Sequence, residues 1–184
     1  MPLMVKDTGS DFEPIETGLQ QAVCSHAVDL GLQYSEMFGY RMNLAICFEL
    51  KQKMTDGRPF MLSRLYGASL NEKATLRKDL ESWRGKKFTE QELEGFDLEQ
   101  LIGVNAYLNI VEDVKGDKKY YKWAAIAPAP KGETKLKPIG QPLPEWLQKK
   151  AAEGAKNLAD QGGEKPQKRP TSAEAKAAKD DLPF

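Results

Sequence analysis

From Tyr40 to Leu50 the chain reads Tyr-Arg-Met-Asn-Leu-Ala-Ile-Cys-Phe-Glu-Leu. Every even position is apolar or aromatic. The odd ones (Arg41, Asn43, Ala45, Cys47, Glu49) are smaller or polar. A helix would scatter this pattern around its circumference, whereas an extended strand sends alternate side chains to opposite faces. The segment therefore predicts a β-strand with one buried face and one open face.

Its neighbours read as strands too. Gln21–Leu30 is a β-rich run, and Gly31 allows a bend or bulge. Asp56-Gly-Arg-Pro59 is a turn that leads into a strand over Phe60–Tyr66, giving a hairpin. Ser69 and Glu72 have capping-box spacing, and Leu70, Ala74, Leu76, Leu80 and Trp83 follow near helical spacing. Gly85 suits a left-handed cap, and Thr89–Leu93 is a second short capped turn. Strands over Ala106–Val111 and Lys119–Ile126 flank a turn at Lys115–Lys118. The expected fold is all-β with one helix: a five-stranded OB-fold barrel in β-β-β-α-β-β order. A mixed α+β sheet of the same order is the alternative.

Charge is balanced, with 27 basic and 27 acidic residues, so the chain is not a simple basic nucleic-acid binder. The balance is uneven locally. Residues 58–88 carry eight Lys or Arg against three acids, and residues 115–137 carry seven lysines against Asp117 and Glu133. A neutral total can hide a positive groove. Cys24 and Cys47 lie in apolar runs without metal-like spacing, and no signal peptide stands out, so a reducing intracellular setting is expected. No apolar run has the length of a membrane span.

Residues 1–17 read as a flexible polar arm and residues 18–130 as the folded domain. Residues 131–184 read as a flexible linker with one exposed helical segment at Glu145–Gly154. Residues 155–179 are too polar to offset their ordering entropy and are expected to be disordered. The chain ends in Asp180-Asp-Leu-Pro-Phe184. This ending resembles the acidic tip of bacterial single-stranded DNA-binding proteins. In such a tip Phe184 is an aromatic anchor and its carboxylate pairs with a basic pocket rim. Asp180 and Asp181 add longer-range attraction, Pro183 lowers the ordering cost, and Leu182 is the aliphatic residue of the tip. An ordinary charged terminus is the plainer alternative.

The core resembles a bacteriophage family of single-stranded DNA-binding proteins. The carrying segments are Val28–Gly31, Ala45–Leu50, Gly57–Phe60, Ser69–Phe88, Gly95–Leu98 and Leu108–Val111. The resemblance covers roughly residues 18–130. It implies an OB fold and a role in phage DNA replication or recombination, in the cytoplasm of an infected bacterial host. It implies no particular DNA-contacting residues.

Those candidates come from chemistry. Binding a single strand without sequence preference needs cations for phosphates and aromatic faces for bases. In an OB barrel the outer face of the second and third strands, with flanking loops, usually carries both. The candidates are Tyr34, Phe38 and Arg41 near the first hairpin, Arg58 in the next turn, and Arg64 with Tyr66 on the third strand. Arg84, Lys86 and Lys87 follow the helix, and Lys118, Lys119, Tyr120 and Lys122 lie around the last hairpin. Several have duller readings. Tyr66 is equally a core residue, Tyr40 can start the buried stripe, one of Tyr121 and Trp123 is expected inside, and so is Trp83. His26 stands alone and reads as a satisfied or exposed histidine.

No Gly-rich phosphate loop, nucleophile elbow or metal cluster is present, so no catalytic residue, cofactor or metal is expected. The expected partners are single-stranded DNA and replication or recombination proteins met through the C-terminal tip. No membrane is expected, and homo-oligomerisation is left open. A recombination mediator or strand-annealing protein, and an adaptor without DNA affinity, are the competing readings.

Overall fold

The computed structural model describes residues 13–161. It is mostly β: five antiparallel strands form one sheet, and three helices accompany it. The strands are β1 (Gly18–Ser35), β2 (Gly39–Lys53), β3 (Pro59–Gly67), β4 (Asn105–Lys115) and β5 (Lys118–Pro128). The helices are α1 (Thr75–Arg84), α2 (Glu90–Glu94) and α3 (Glu145–Asp160). Strand order across the sheet is β3-β2-β1-β4-β5. No strand ladder joins β3 to β5, so the sheet is open.

The long β1 explains how one strand serves both halves. Its Ala22–Ser35 portion pairs with β2, while Gly18–Val23 pairs with β4. The ladder shifts between Cys24 and His26 and again between Asp29 and Gly31. Gly31 takes φ 63°, a left-handed conformation that favours glycine.

The even stripe of β2 forms the centre of the main core. Leu44, Ile46, Phe48 and Leu50 pack with Leu62, Leu80, Leu108 and Ile110. Phe48 meets Trp83 and Trp123 edge-on, with ring centroids 5.1 and 5.3 Å away. Each such fully buried side chain contributes roughly 1.5–3 kcal/mol through removal from water.

Three expectations are corrected here. First, β2 has no open face along Ala45–Glu49: Ala45 and Cys47 are 0% exposed and Glu49 1%. An extended segment after β5 crosses that side. The Glu49 carboxylate accepts the Ile139 and Gln141 N–H groups at 2.8 and 3.3 Å. The Asn105 side chain brackets Leu136, donating to its carbonyl at 2.9 Å and accepting its N–H at 2.8 Å.

Second, Glu145–Gly154 is no exposed segment in a flexible linker. It belongs to a longer helix that docks Leu147, 0% exposed, onto Leu30, Ala45 and Cys47. Gly154 sets the approach: a Cβ there would lie 1.7 Å from the Leu30 carbonyl oxygen. Gln33 donates to Lys150 O, and Asn157 donates to Leu32 O.

Third, Ser69 does not cap α1. That helix starts at Thr75 with Ala74 at its N-cap, while the Ser69 hydroxyl accepts the Asn71 N–H in a turn before it. The cap at Gly85 has the expected positive φ of 69°, and Thr89 and Glu92 form a full capping box for α2.

Candidate nucleic-acid interface

Past Asn43 on β2, no third strand continues the sheet. The β2–β3 ladder ends at Asn43–Gly67 and the β1–β4 ladder at Val23–Asn105, yet β1 and β2 stay paired out to Ser35–Gly39. The tip is therefore a two-stranded ribbon standing clear of the sheet. Its side chains face water despite their chemistry: Tyr34 is 61%, Met37 63% and Tyr40 46% exposed. The Tyr34 and Tyr40 rings meet at 5.2 Å, and the Arg41 guanidinium lies over the Phe38 ring at 4.1 Å. Tyr40 thus belongs to the ribbon and not to the buried stripe.

The β4–β5 hairpin projects from the other end of β1, because β4 runs away from Val23 past Gly18. It carries Lys115, Lys118, Lys119 and Lys122, all exposed, with Tyr120 48% exposed. Lys119 pairs with Glu112 at 3.3 Å and Lys122 with Asp113 at 3.0 Å. Lys122 holds the Asp113 carboxyl below its ordinary range, chiefly by hydrogen bonding. Ion pairs as exposed as these are typically worth about 0–1 kcal/mol. A phosphate can exchange for either carboxylate at little cost.

Of the remaining candidates, Tyr66, Arg64 and Arg84 are engaged within the fold, while Arg58, Lys86 and Lys87 are exposed. Tyr66 is 5% exposed and donates its hydroxyl to Asp79 at 2.6 Å. Burial first, then the Asp79 charge, pushes its pKa far up. It is a core residue and does not stack on a base. Arg64 sits beside it, paired with Asp79 at 2.9 Å and donating to the Trp123 carbonyl, with its guanidinium over the Trp123 ring. Arg84 pairs with Glu92 at 2.6 Å and lies over Phe88 and Phe96 at 4.4 and 5.4 Å. Its hydrogen bond holds the Glu92 carboxyl down at about 2. Arg58 is turned onto Asp56 at 2.7 Å within its own turn. Lys86 and Lys87 are exposed. Of the expected core residues, Trp83 is 3% and Trp123 1% exposed, while Tyr121 is half-buried. His26 bonds to the Ser25 hydroxyl at 3.0 Å.

The structure therefore brings Tyr34, Phe38 and Arg41 together at one end. It gathers Lys118, Lys119, Tyr120 and Lys122 at the other, sets Arg64, Tyr66 and Arg84 aside, and leaves Arg58, Lys86 and Lys87 exposed at neither cluster. Asp180, Asp181, Leu182, Pro183 and Phe184 lie outside the described residues. The expected platform on β2 is covered by α3 and the segment before it. Sequence reasoning missed that cover. Its signal lay in the small odd residues of β2 and in Gly31 with Gly154, which allow a helix to approach.

Among the described residues, no group of three or more His, Cys, Asp or Glu side chains could hold a metal ion. No helix among them is long and apolar enough to cross a membrane. Burial raises the Cys24 thiol to about 12 and also raises that of Cys47, which suits packing and not nucleophilic work. No protein-family model matches the chain, and no curated protein matches it.

Proposed function

We propose that this chain binds single-stranded DNA through an OB-type barrel and recruits replication or recombination proteins through its C-terminal tip, in the setting of phage DNA metabolism. The barrel reading rests on the strand order β3-β2-β1-β4-β5 and on the Arg64 bond to the Trp123 carbonyl, which draws the two edge strands together. One observation carries the DNA reading. The two hairpins at opposite ends of β1 expose stacking rings and lysines, the two chemistries a bare strand requires. A duplex hides its base faces from Tyr34, Phe38 and Tyr40, which gives the ribbon a reason to prefer unpaired DNA. The strand passes from the ribbon to the lysine hairpin without using the covered face of β2. The tip reading rests on the residues of Asp180–Phe184 and their likeness to bacterial tips.

Fluorescence anisotropy with labelled oligo-dT and with a duplex of equal length, across a salt series, tests the DNA reading. Single-strand preference with affinity falling as salt rises supports it. Equal or tighter duplex binding contradicts it. Removal of Leu182–Phe184 keeps DNA affinity and abolishes capture of host replication proteins. Unchanged capture contradicts the tip's role.

A further inference from the structure

The ladder register sorts the two faces of the β4–β5 hairpin. Ile110 and Trp123 pair and point into the main core, so the pairs Glu112–Tyr121 and Val114–Lys119 share that side. The pairs Val111–Lys122, Asp113–Tyr120 and Lys115–Lys118 take the outer side. One residue before Ile110, Asn109 pairs with Leu19 and Ala125, so these three also face outward. The segment after β5 crosses the same outer side. There Glu133 accepts the Tyr107 hydroxyl, and the Thr134 carbonyl accepts the Gln21 amide at 2.8 Å. Its Lys131, Lys135 and Lys137 are exposed. Of the seven lysines between residues 115 and 137, all but Lys119 therefore border one lane along β5.

Ala125 and Ala127 form an exposed floor whose small side chains let a ligand come close to the sheet. Leu19 and Tyr120, 71% and 48% exposed, add apolar and stacking surface. The carboxylates on these strands and the crossing segment are engaged: Asp113 with Lys122 at 3.0 Å, and Glu133 with Tyr107. Lys118, Lys131, Lys135 and Lys137 form no ion pair with a described residue. From Tyr120 to Ala127 the lane runs roughly 23 Å at about 3.3 Å per residue. That is room for about four nucleotides, the lower end of OB-fold site sizes. We infer that this outer lane carries a single strand away from the hairpin tip. Phosphates sit on Lys118 and Lys122 at one end and on Lys131 and Lys135 at the other, and bases lie against Tyr120 and Leu19. Leu19 and the lysines after β5 thereby join the binding residues. This inference rests on the single-stranded DNA reading and gives it a path.

Two variants of the full chain isolate the face. Ala125→Glu places a carboxylate on the lane. Val114→Glu adds the same charge at a position 59% exposed on the opposite side of the hairpin. Anisotropy with labelled oligo-dT at low salt should show about a fivefold loss for Ala125→Glu and less than about twofold for Val114→Glu. Replacing Lys131, Lys135 and Lys137 together by Ala should lower the slope of log affinity against log salt by about two, since each single-strand phosphate contact contributes about 0.7. That variant removes only exposed side chains, so it reads the lane even where Ala125→Glu fails to fold. Equal losses from the two carboxylates, or an unchanged salt slope without the three lysines, overturn the lane and leave the DNA reading standing. Failure of the wild type to bind oligo-dT overturns the reading beneath it.

Discussion

The two hairpins that extend from the ends of β1 share a fold and differ in chemistry. The β1–β2 ribbon shows Tyr34, Met37 and Tyr40 to water, with Arg41 already placed over Phe38. The β4–β5 hairpin shows four lysines, two of them balanced by carboxylates on the facing strand. Large exposed apolar side chains are costly unless they meet a partner, and the ribbon gathers several within a few residues. Clustered lysines repel one another unless a polyanion, or Glu112 and Asp113, answers them. The lesson is a separation of tasks. On the proposed reading, one end supplies contact with base faces and little dependence on salt, and the other supplies attraction to phosphate that salt screens. Arg64 and Arg84, two of the more obvious cations, are engaged with carboxylates at partly buried positions, and Arg58 pairs with Asp56 in its own exposed turn.

The comparison breaks most readily at the lysine end. Replacing Lys115, Lys118, Lys119 and Lys122 together by Ala should lower single-strand affinity about 100-fold at low salt and flatten the salt dependence. Titrations across a salt series check both. An unchanged slope would place the phosphate contacts elsewhere. At the other end, Tyr34→Ala with Phe38→Ala should cost about tenfold in affinity and leave the slope as it was, because stacked bases release few counterions. Anisotropy at two salt concentrations separates the two kinds of loss.

A smaller effect marks the line between interior and interface. Tyr66→Phe should lower stability by about 1–2 kcal/mol through its lost bond to Asp79, with no change in DNA affinity. Denaturant unfolding and anisotropy give the two numbers. The smallest concerns Arg84. Its bond holds the Glu92 carboxyl from an ordinary 4.5 down to about 2. A depressed carboxyl stabilises the fold above its unfolded pKa. That contribution should fade as pH falls from about 4.5 toward about 2. Melting temperature against pH should fall less steeply over that window in Glu92→Gln than in the wild type.

Much of the sheet was legible because alternation is a local signal. Tyr40–Leu50 and Phe60–Tyr66 read directly as strands, and the caps at Gly85 and Thr89 follow from residue type and spacing. Alternation along β3 puts Phe60, Leu62, Arg64 and Tyr66 on one face, and the structure buries Phe60, Leu62 and Tyr66 with Arg64 half-buried beside them, so the expected stacking role of Tyr66 gives way to a core one. The cover over β2 was not legible. It depends on residues far apart in the chain: Glu49 with Ile139 and Gln141, Asn105 with Leu136, and Leu30 with Gly154. Each is unremarkable in its own neighbourhood. The aromatic cluster of Tyr34, Phe38 and Tyr40 was visible as composition. Its projection beyond the sheet depends on where β3 and β4 stop pairing, which no local pattern encodes.

Whether a strand is held at two separated tips, and not on a flat face, can be read residue by residue. Backbone amide chemical shifts of the full chain, followed during titration with an oligonucleotide, give that map. Shifts concentrated at residues 34–41 and 115–122, with Ala45, Cys47 and α3 unmoved, are the expected result. Shifts centred on β2 beneath α3, or none at either hairpin, would contradict it.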